Sequence, residues 1–418
     1  MRERFMSILI FGSFYLLLDI YTYYGLKSLF TDRNSVRIYQ VIYLLTSLVV
    51  YYSCYQLISS PRSVFGNSSV NFYIGIFVTA IASKMVFVSI MLLQDGGRVL
   101  YGIFDNLKNT FGDSPPREGA FLPSRRKFIT LAAAGLAAIP LTSMLYGITR
   151  GKYRYTVNRV KLTFKDLPKA FKGFKIVQIS DIHAGNLDSP DDVLRGVQMI
   201  NGEAPDAIMF TGDLVNVHKE EVDPYIDIFS KLEANHGKFA VLGNHDYYGA
   251  PREEWENKNA DYWKDFNAKY QAMGFRLMNN ENAQIEKNGE RISILGVENW
   301  GAGRWFPKIG DLNKALADRP KDEFCVLLSH DPTHWDNEVI PHDKQIHLTL
   351  SGHTHGFQFG INMPGFKWSP AQYRYPHWMG LYEKAEQYLY VNRGFGFLGF
   401  PGRVGMWPEI TVIELDTA

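Results

Sequence analysis

The sequence predicts a chain in two parts, an all-α transmembrane region of three to four helices followed by an α/β domain. Two observations carry this. Up to about Gly147, Leu, Ile, Val, Phe and Tyr dominate in long runs, whereas from Lys152 onward short apolar runs alternate with polar loops. The length of 418 residues is also more than one ordinary domain needs. The division is expected at residues 150 and 151, giving a helical region over 1–150 and an α/β domain over 151–418.

A bilayer span needs about 20 mostly apolar residues. Met6–Tyr24, Gln40–Ile58 and Phe72–Leu93 meet this, and tyrosines crowd the ends of the first two as interfacial aromatics do. Ile129–Tyr146 is Ala-rich and slightly short, but no charge interrupts it, so it is a fourth candidate. Asp19 and Lys84 fall inside the first and third spans, which run in the same direction. An intramembrane charge faces a partner or a cavity. Either the two pair and lock their helices, or Lys84 snorkels to the surface alone.

Ser124-Arg125-Arg126-Lys127-Phe128-Ile129, just before the fourth span, is similar to a twin-arginine export motif; the simpler reading is a basic cytoplasmic flank. Both readings put Arg125 and Arg126 in the cytoplasm. The α/β domain is then extracytoplasmic, on an integral protein of a bacterial inner membrane. The basic run Arg150, Lys152, Arg154, Arg159 and Lys161 opposes this by the positive-inside rule. No small-residue cleavage site follows the helix, which implies an uncleaved anchor. A net charge of +1 gives no argument for a nucleic-acid partner. Cys54 and Cys325 both sit in apolar runs, so no disulfide framework is expected.

In the second part, apolar runs read as strands at Phe174–Ser180, Ala207–Thr211, Phe239–Leu242, Ile292–Leu295, Phe324–Ser329, Ile346–Leu350, Tyr388–Val391 and Ile410–Leu415. Five polar clusters follow such runs: Asp181-Ile182-His183, Gly212-Asp213-Leu214, Gly243-Asn244-His245-Asp246, Ser329-His330 and Gly352-His353-Thr354-His355. Loops after strands of an open α/β sheet project ligands into a shared crevice. Asp181 with His183, and His353 with His355, can aim to one side in an extended segment. Gly212, Gly243 and Gly352 allow the tight backbone approach such turns need.

In type, order and position the five clusters resemble the signature of calcineurin-like metallophosphoesterases, over roughly Lys175 to the C-terminus. The bacterial membrane-anchored branch is the most similar, since it shares a segment like Tyr388–Gly394 and a later Pro401, Arg403, Pro408, Glu409 pattern. The resemblance implies a four-layer αββα sandwich holding two divalent metal ions. Asp181, His183, Asp213 and His355 would hold one, and Asp213, Asn244, His330 and His353 the other, with Asp213 bridging. Oxygen and imidazole donors suit Mn, Fe or Zn. Two such cations activate a shared water and neutralise phosphate charge. His245 would face the leaving-group oxygen as a proton donor, with Asp246 fixing its ring. Outside the clusters, His218, His236, His334, His342, His347 and His377 are expected to be ordinary core or surface residues.

The implied activity is hydrolysis of a phosphodiester or pyrophosphate bond. Relatives that act on UDP-2,3-diacylglucosamine extend the expected substrate to lipid or lipid-linked phosphoesters. Phe357 stands where the branch commonly has glycine, which reshapes the rim and puts any inherited substrate in doubt. Phe357, Phe359, Met363, Phe366, Trp368, Tyr373, Tyr375, Trp378 and Met379 crowd one proline-punctuated stretch, read as a long rim loop. Phe395, Phe397, Phe400 and Trp407 could form a second wall. Either these aromatics make an apolar mouth or they fill the core. Glu298, Trp300 and Trp305 mark another loop, with Glu298 expected to be an ordinary loop acid. Two alternatives to an enzyme are a non-catalytic metal-binding scaffold and a membrane sensor with a phosphoesterase-like domain attached. A zinc amide or lactam hydrolase fits poorly, because His355 is followed by Gly356-Phe357 rather than Asp-His.

Overall fold

The computed structural model describes residues 2–59, 68–111, 123–304, 306–320 and 323–418. The chain divides into two compact units. One holds the helices as far as Tyr146; the other runs from Gly147 to Ala418 and also takes in Ser68–Asn71.

The helical unit is built from α1 (Arg2–Lys27), α2 (Arg33–Ser59), α3 (Ser68–Phe111) and α4 (Pro123–Thr149). Among the described residues, three helices are long and apolar enough to cross a membrane, over Arg33–Ser59, Ser69–Asp105 and Arg125–Thr149. The Ala-rich fourth candidate is therefore among them, while the first expected span lies within α1.

Asp19 and Lys84 form an ion pair between α1 and α3. Asp19 also accepts from the hydroxyls of Tyr43 (2.8 Å), Ser47 (3.1 Å) and Tyr51 (3.1 Å), all on α2, and Lys84 donates to Tyr15 on α1 (2.9 Å). A charge withdrawn from water needs both a counter-charge and filled hydrogen-bond positions. The cluster supplies both and ties three helices together, so Lys84 does not snorkel. It also engages Tyr43, one of the tyrosines near the start of the second expected span, and Tyr51 from that span's interior.

The second unit has two six-stranded sheets. The first comprises β1 (Thr156–Phe164), β2 (Lys175–Ile179), β3 (Ala207–Phe210), β4 (Lys238–Ala240), β5 (Arg276–Leu277) and β14 (Glu409–Thr417), in the order β1-β14-β2-β3-β4-β5. The second comprises β6 (Glu281–Lys287), β7 (Glu290–Gly296), β8 (Cys325–Leu328), β9 (Leu348–Ser351), β12 (Gly380–Lys384) and β13 (Gln387–Val391), in the order β12-β13-β9-β8-β7-β6. A separate hairpin pairs β10 (Ile361–Met363) with β11 (Phe366–Trp368).

Strand alternation builds the layers. Ile176, Met209, Val326, Leu328 and Leu350 enter one apolar core between the sheets. Their neighbours Val177, Ile179, Ile208 and Phe210 face outward against α5 (Pro190–Gly202) and α7 (Asp261–Ala272). Leu295, Leu327 and Val391 face outward on the other side, against Leu312 and Ala315 of the short helix α8 (Leu312–Ala315) and against Trp335. Side chains of period two on both faces give the four-layer αββα sandwich. Central strands buried on both faces read as continuous apolar runs, which is why the sequence announces them. In α5, Ser189 accepts from the amide of Asp192 and Pro190 opens the first turn, a regular N-terminus for the helix packed on β2 and β3.

The stretch after His355 is not a single long loop. It contains the β10–β11 hairpin. Of the second aromatic group, two rings take the core reading: Phe395 and Phe397 are buried under α5, where Phe395 stacks on Tyr155 at 4.4 Å. Trp378 and Met379 are also buried, with Ala371 and Met406. Phe357, Phe359, Met363, Phe366 and Tyr373 are exposed. The rings thus divide between core and surface. Trp305 lies outside the described residues. Glu298 is not an ordinary loop acid: it is buried, accepting from Tyr247 (2.7 Å) and Asn280 (3.0 Å) and pairing with Lys258 (2.7 Å). Both cysteines are free.

Candidate metal centre

Every cluster named from the sequence arrives at one place, where the C-terminal ends of strands from both sheets meet. Asp181 and His183 follow β2, Asp213 follows β3 and Asn244 follows β4, so these four come from the first sheet. His330 follows β8, and His353 and His355 follow β9, so the histidines of the late clusters come from the second. Gln178 Nε2 joins the two sheets beneath the site by donating to the carbonyl of Ser351 (2.9 Å).

Two groups of three donors form there, each with its ligand atoms within 4.8 Å of one another: Asp181 with His183 and His355, and Asp213 with His330 and His353. His183 Nε2 lies 3.0 Å from His355 Nε2, and His355 Nε2 lies 3.3 Å from Asp181 Oδ1. In the second group His330 Nε2 is 3.2 Å from Asp213 Oδ2 and 3.3 Å from His353 Nδ1. Asp213 Oδ2 is also 3.6 Å from His183 Nε2, so this one carboxylate reaches both groups. A bridging carboxylate is what holds two cations about 3.5–4 Å apart.

The residues fit metal ions by a second criterion. Buried polar atoms are almost always hydrogen-bonded. Asn244 Oδ1 is buried and meets no donor in the protein, while its Nδ2 donates to the Tyr248 hydroxyl at 3.0 Å. An amide oxygen buried without a donor is a neutral oxygen available to a cation.

Backbone strain marks the same residues. Asp181, His183, Asp213, His353 and His355 all have φ between 49° and 70°. Positive φ is uncommon for residues with a side chain and costs of order 1–3 kcal/mol. The neighbouring glycines make this crowding feasible. A Cβ on Gly352 would lie 1.9 Å from Ser180 Oγ, and one on Gly243 would lie 2.2 Å from Asp213 Oδ1.

Electrostatics keep His183 and His353 ready to ligate. Burial pushes His183 down to about 3 and His353 down to about 4, so both stay neutral with a lone pair available. Burial alone would also lower His330, but Asp213 at 3.2 Å outweighs it and lifts the imidazole to about 10. Burial raises Asp181 to about 6. A cation held between these groups would supply the charge that an imidazolium otherwise provides.

His245 is placed differently from the ligands. Its Nδ1 lies 2.8 Å from the Asn216 carbonyl oxygen, to which Nδ1–H donates, and its backbone amide donates to Asp213 Oδ1 at 2.8 Å. Asp246 does not fix this ring. Its buried carboxylate accepts from four backbone amides: Gly243 (2.8 Å), Leu214 (2.9 Å), Asp213 (3.0 Å) and Val215 (3.3 Å). Four N–H donors converging on one site hold the carboxylate away from the imidazole, and a backbone carbonyl takes the orienting role.

Two further residues entered the sequence reading only as members of longer patterns, with no role at the site. Tyr375 Oη lies 2.9 Å from His353 Nε2, the nitrogen opposite the one facing His330. Arg403 is fully buried and donates to the carbonyls of Gly396 (2.6 Å), Arg393 (2.7 Å) and Met406 (3.1 Å), fastening the loop behind His355. A recurring Pro–Arg–Pro–Glu pattern was the only signal for Arg403. The histidines set aside as ordinary do not line the pocket above the ligands. That pocket has a volume of about 340 Å³ and is lined by Asp213, Asn244, His245 and Phe306 and, at exposed positions, by Phe357 and Arg374.

Comparison with known proteins agrees with the geometry. Residues 174–357 match the family described as calcineurin-like phosphoesterase, and residues 3–152 match a probable transmembrane domain of calcineurin-like phosphoesterases. The chain is 32% identical over 303 residues to the uncharacterized metallophosphoesterase YkuE of Bacillus subtilis, covering 70% of this chain and 98% of that protein. It is 28% identical over 316 residues to the transmembrane protein with metallophosphoesterase domain of Danio rerio, covering 72% and 68%. An uncharacterized metallophosphoesterase of Helicobacter pylori is 29% identical over 297 residues, covering 71% and 73%. With two adjacent three-donor groups and a relative 32% identical that is covered over 98% of its length, this chain belongs to the calcineurin-like metallophosphoesterases, in a form with an N-terminal transmembrane domain.

Proposed function

We propose that the chain is a membrane-anchored phosphoesterase that hydrolyses a phosphodiester or pyrophosphate bond of a lipid or lipid-linked substrate. Asp181, His183, Asp213 and His355 hold one divalent ion, and Asp213, Asn244, His330 and His353 hold the second. The observation that carries the reading is the pair of three-donor groups joined through Asp213 at the base of a pocket. The donor set suits Mn, Fe or Zn. When bound, the two ions activate water and bind phosphate oxygens.

The protein's own residues do the rest. Asp213 is held by the His245 amide, which fixes the bridge. Asn244 gives a neutral ligand, which leaves the net positive charge of the site intact. His245, its Nδ1–H committed to Asn216, turns Nε2 to the leaving-group oxygen as proton donor. Arg374 at the mouth attracts the anionic substrate. The exposed rings beside it favour an amphiphile.

Residues 1–150 act as anchor and 151–418 as catalytic domain. Arg125 and Arg126 lie on the cytoplasmic side of a bacterial inner membrane, which makes the catalytic domain extracytoplasmic. The test uses the full chain in bilayer discs with Mn²⁺ supplied, and measures turnover of bis-nitrophenyl phosphate against lipid-linked diesters and pyrophosphates. Metal-dependent hydrolysis with preference for the lipid-linked compounds is expected. Two bound metals with no hydrolysis of any phosphoester would favour the scaffold instead.

A further inference from the structure

Directly after the last metal ligand, the chain turns its apolar side chains outward. Phe357 has φ 56°, ψ 9°, a left-handed conformation in which a bulky side chain is strained, and its ring is 62% exposed. Strain is retained where the surrounding structure enforces it, and here it presents a phenyl group at the pocket mouth.

The β10–β11 hairpin follows. Its register pairs Ile361 with Trp368 and Met363 with Phe366, so all four side chains lie on one face, while Asn362 pairs with Lys367 on the other. Met363 is 55% exposed and Phe366 53%, with Pro364-Gly365 at the tip between them. A two-stranded hairpin is marginal in water unless its apolar face is covered. This one is fastened near its base, by the Gly360 amide to the Val404 carbonyl (2.9 Å), Ser369 Oγ to the Gly356 carbonyl (2.8 Å) and Trp368 Nε1 to the Tyr373 hydroxyl (3.3 Å).

Charge identifies the cover. From Phe357 to Tyr382 the chain has no Asp or Glu, while Lys367 and Arg374 are both exposed. Apolar side chains beside cations, with no carboxylate among them, complement the interface of a bilayer bearing anionic headgroups. The chain's own helices keep such a surface within reach.

We propose that the apolar face of the β10–β11 hairpin, together with Phe357, inserts into an anionic lipid bilayer and places the pocket mouth at the headgroup layer. This deepens the reading of the site as a phosphoesterase for lipid substrates and rests on it for its purpose. The immersion itself is measured without turnover.

The experiment uses the full chain with Cys54→Ser, in discs of equimolar phosphatidylcholine and phosphatidylglycerol. An environment-sensitive fluorophore is placed at Met363→Cys, at Ile361→Cys, or at the exposed turn position Asn288→Cys as a water-facing reference. Spin-labelled lipids should quench the first two and not the third, with less quenching in phosphatidylcholine alone. In parallel, Phe366→Ser combined with Trp368→Ser should lower turnover of a lipid diester by about tenfold, the loss expected when buried apolar area is withdrawn. Turnover of bis-nitrophenyl phosphate and the melting temperature should hold. Water-like emission with no lipid quenching at both hairpin positions overturns the proposal. So does emission shielded from water but not quenched by lipid, which would mean a protein or second copy covers the face. If hydrolysis is absent for every substrate while the hairpin is quenched, the phosphoesterase reading fails and the insertion stands.

Discussion

The carboxylate of Asp246 accepts the backbone amide of Asp213 at 3.0 Å, so one acid sets the position of the other. Together with the amides of Gly243, Leu214 and Val215 it pins two ligand-bearing loops to each other. Asp246→Ala strands these buried donors, at about 1–3 kcal/mol for each one that finds no water. The expected result is a lower melting temperature and loss of bound metal. Asp246→Asn, which keeps an acceptor, should retain most of both. Metal analysis beside thermal unfolding checks this, and an Ala variant with full metal content and unchanged melting would contradict it.

Asp213→Ala removes the carboxylate shared by both donor groups. Both ions should be lost, and activity with them. Metal content and diesterase turnover are measured together; two bound ions with normal turnover in the variant would refute the bridging role.

His245→Ala should keep metal content near normal and lower kcat by about 10²–10⁴-fold, the range for a lost acid–base group. The loss should shrink for nitrophenolate, a leaving group that needs little protonation. An equal loss across leaving groups would argue against proton donation by His245. Asn216 cannot be used for the same test by substitution, because the contact is made by its backbone carbonyl.

Glu409 is fully buried, paired with Arg393 and accepting from the Tyr390 hydroxyl at 2.5 Å. Burial works against its charge, but Arg393 wins and holds the carboxyl below its usual range. Glu409→Ala leaves the guanidinium buried without a partner and should destabilise the domain by about 3–5 kcal/mol. Chemical denaturation reports it; a change under 1 kcal/mol, about the worth of a surface pair, would mean that Arg393 finds another acceptor.

A reporter fused after Ala418 tests the proposed orientation. An enzyme active only after export should be active there, and one active only in the cytoplasm silent. The reverse would make Arg150 to Lys161 the cytoplasmic flank.

The sequence carried some features of this protein clearly and others hardly at all. Strands buried on both faces, such as β2, β3, β8 and β9, stand out as apolar runs, and the ligands stand out because each follows one. Edge strands left no such signal: β1 alternates Arg159 and Lys161 with apolar residues, and β6 reads Glu-Asn-Ala-Gln-Ile-Glu-Lys. The β10–β11 hairpin was hidden because its side chains are exposed, so neither burial nor composition marked it as strand. Asp246 was misassigned because the family resemblance implied a side-chain contact with His245, while the deciding interaction runs to backbone amides that no sequence pattern displays. For Phe395 and Phe397, composition could not separate core from rim; packing against Tyr155 and Tyr153 did.

The place of β14 in the first sheet governs the order in which the domain can be assembled. Although Glu409–Thr417 come late in the chain, β14 lies between β1 and β2, parallel to the one and antiparallel to the other. During synthesis β1 has no neighbour until these residues emerge from the ribosome. One side of the sheet, β14 with β1, closes last, through contacts of very large sequence separation, which makes for slow folding. A proteolytic cut before Glu409 would not trim an edge; it would remove the strand that joins β1 to the rest. Until translation has passed β14, β1 therefore stays outside the sheet that carries Asp181, Asp213 and Asn244.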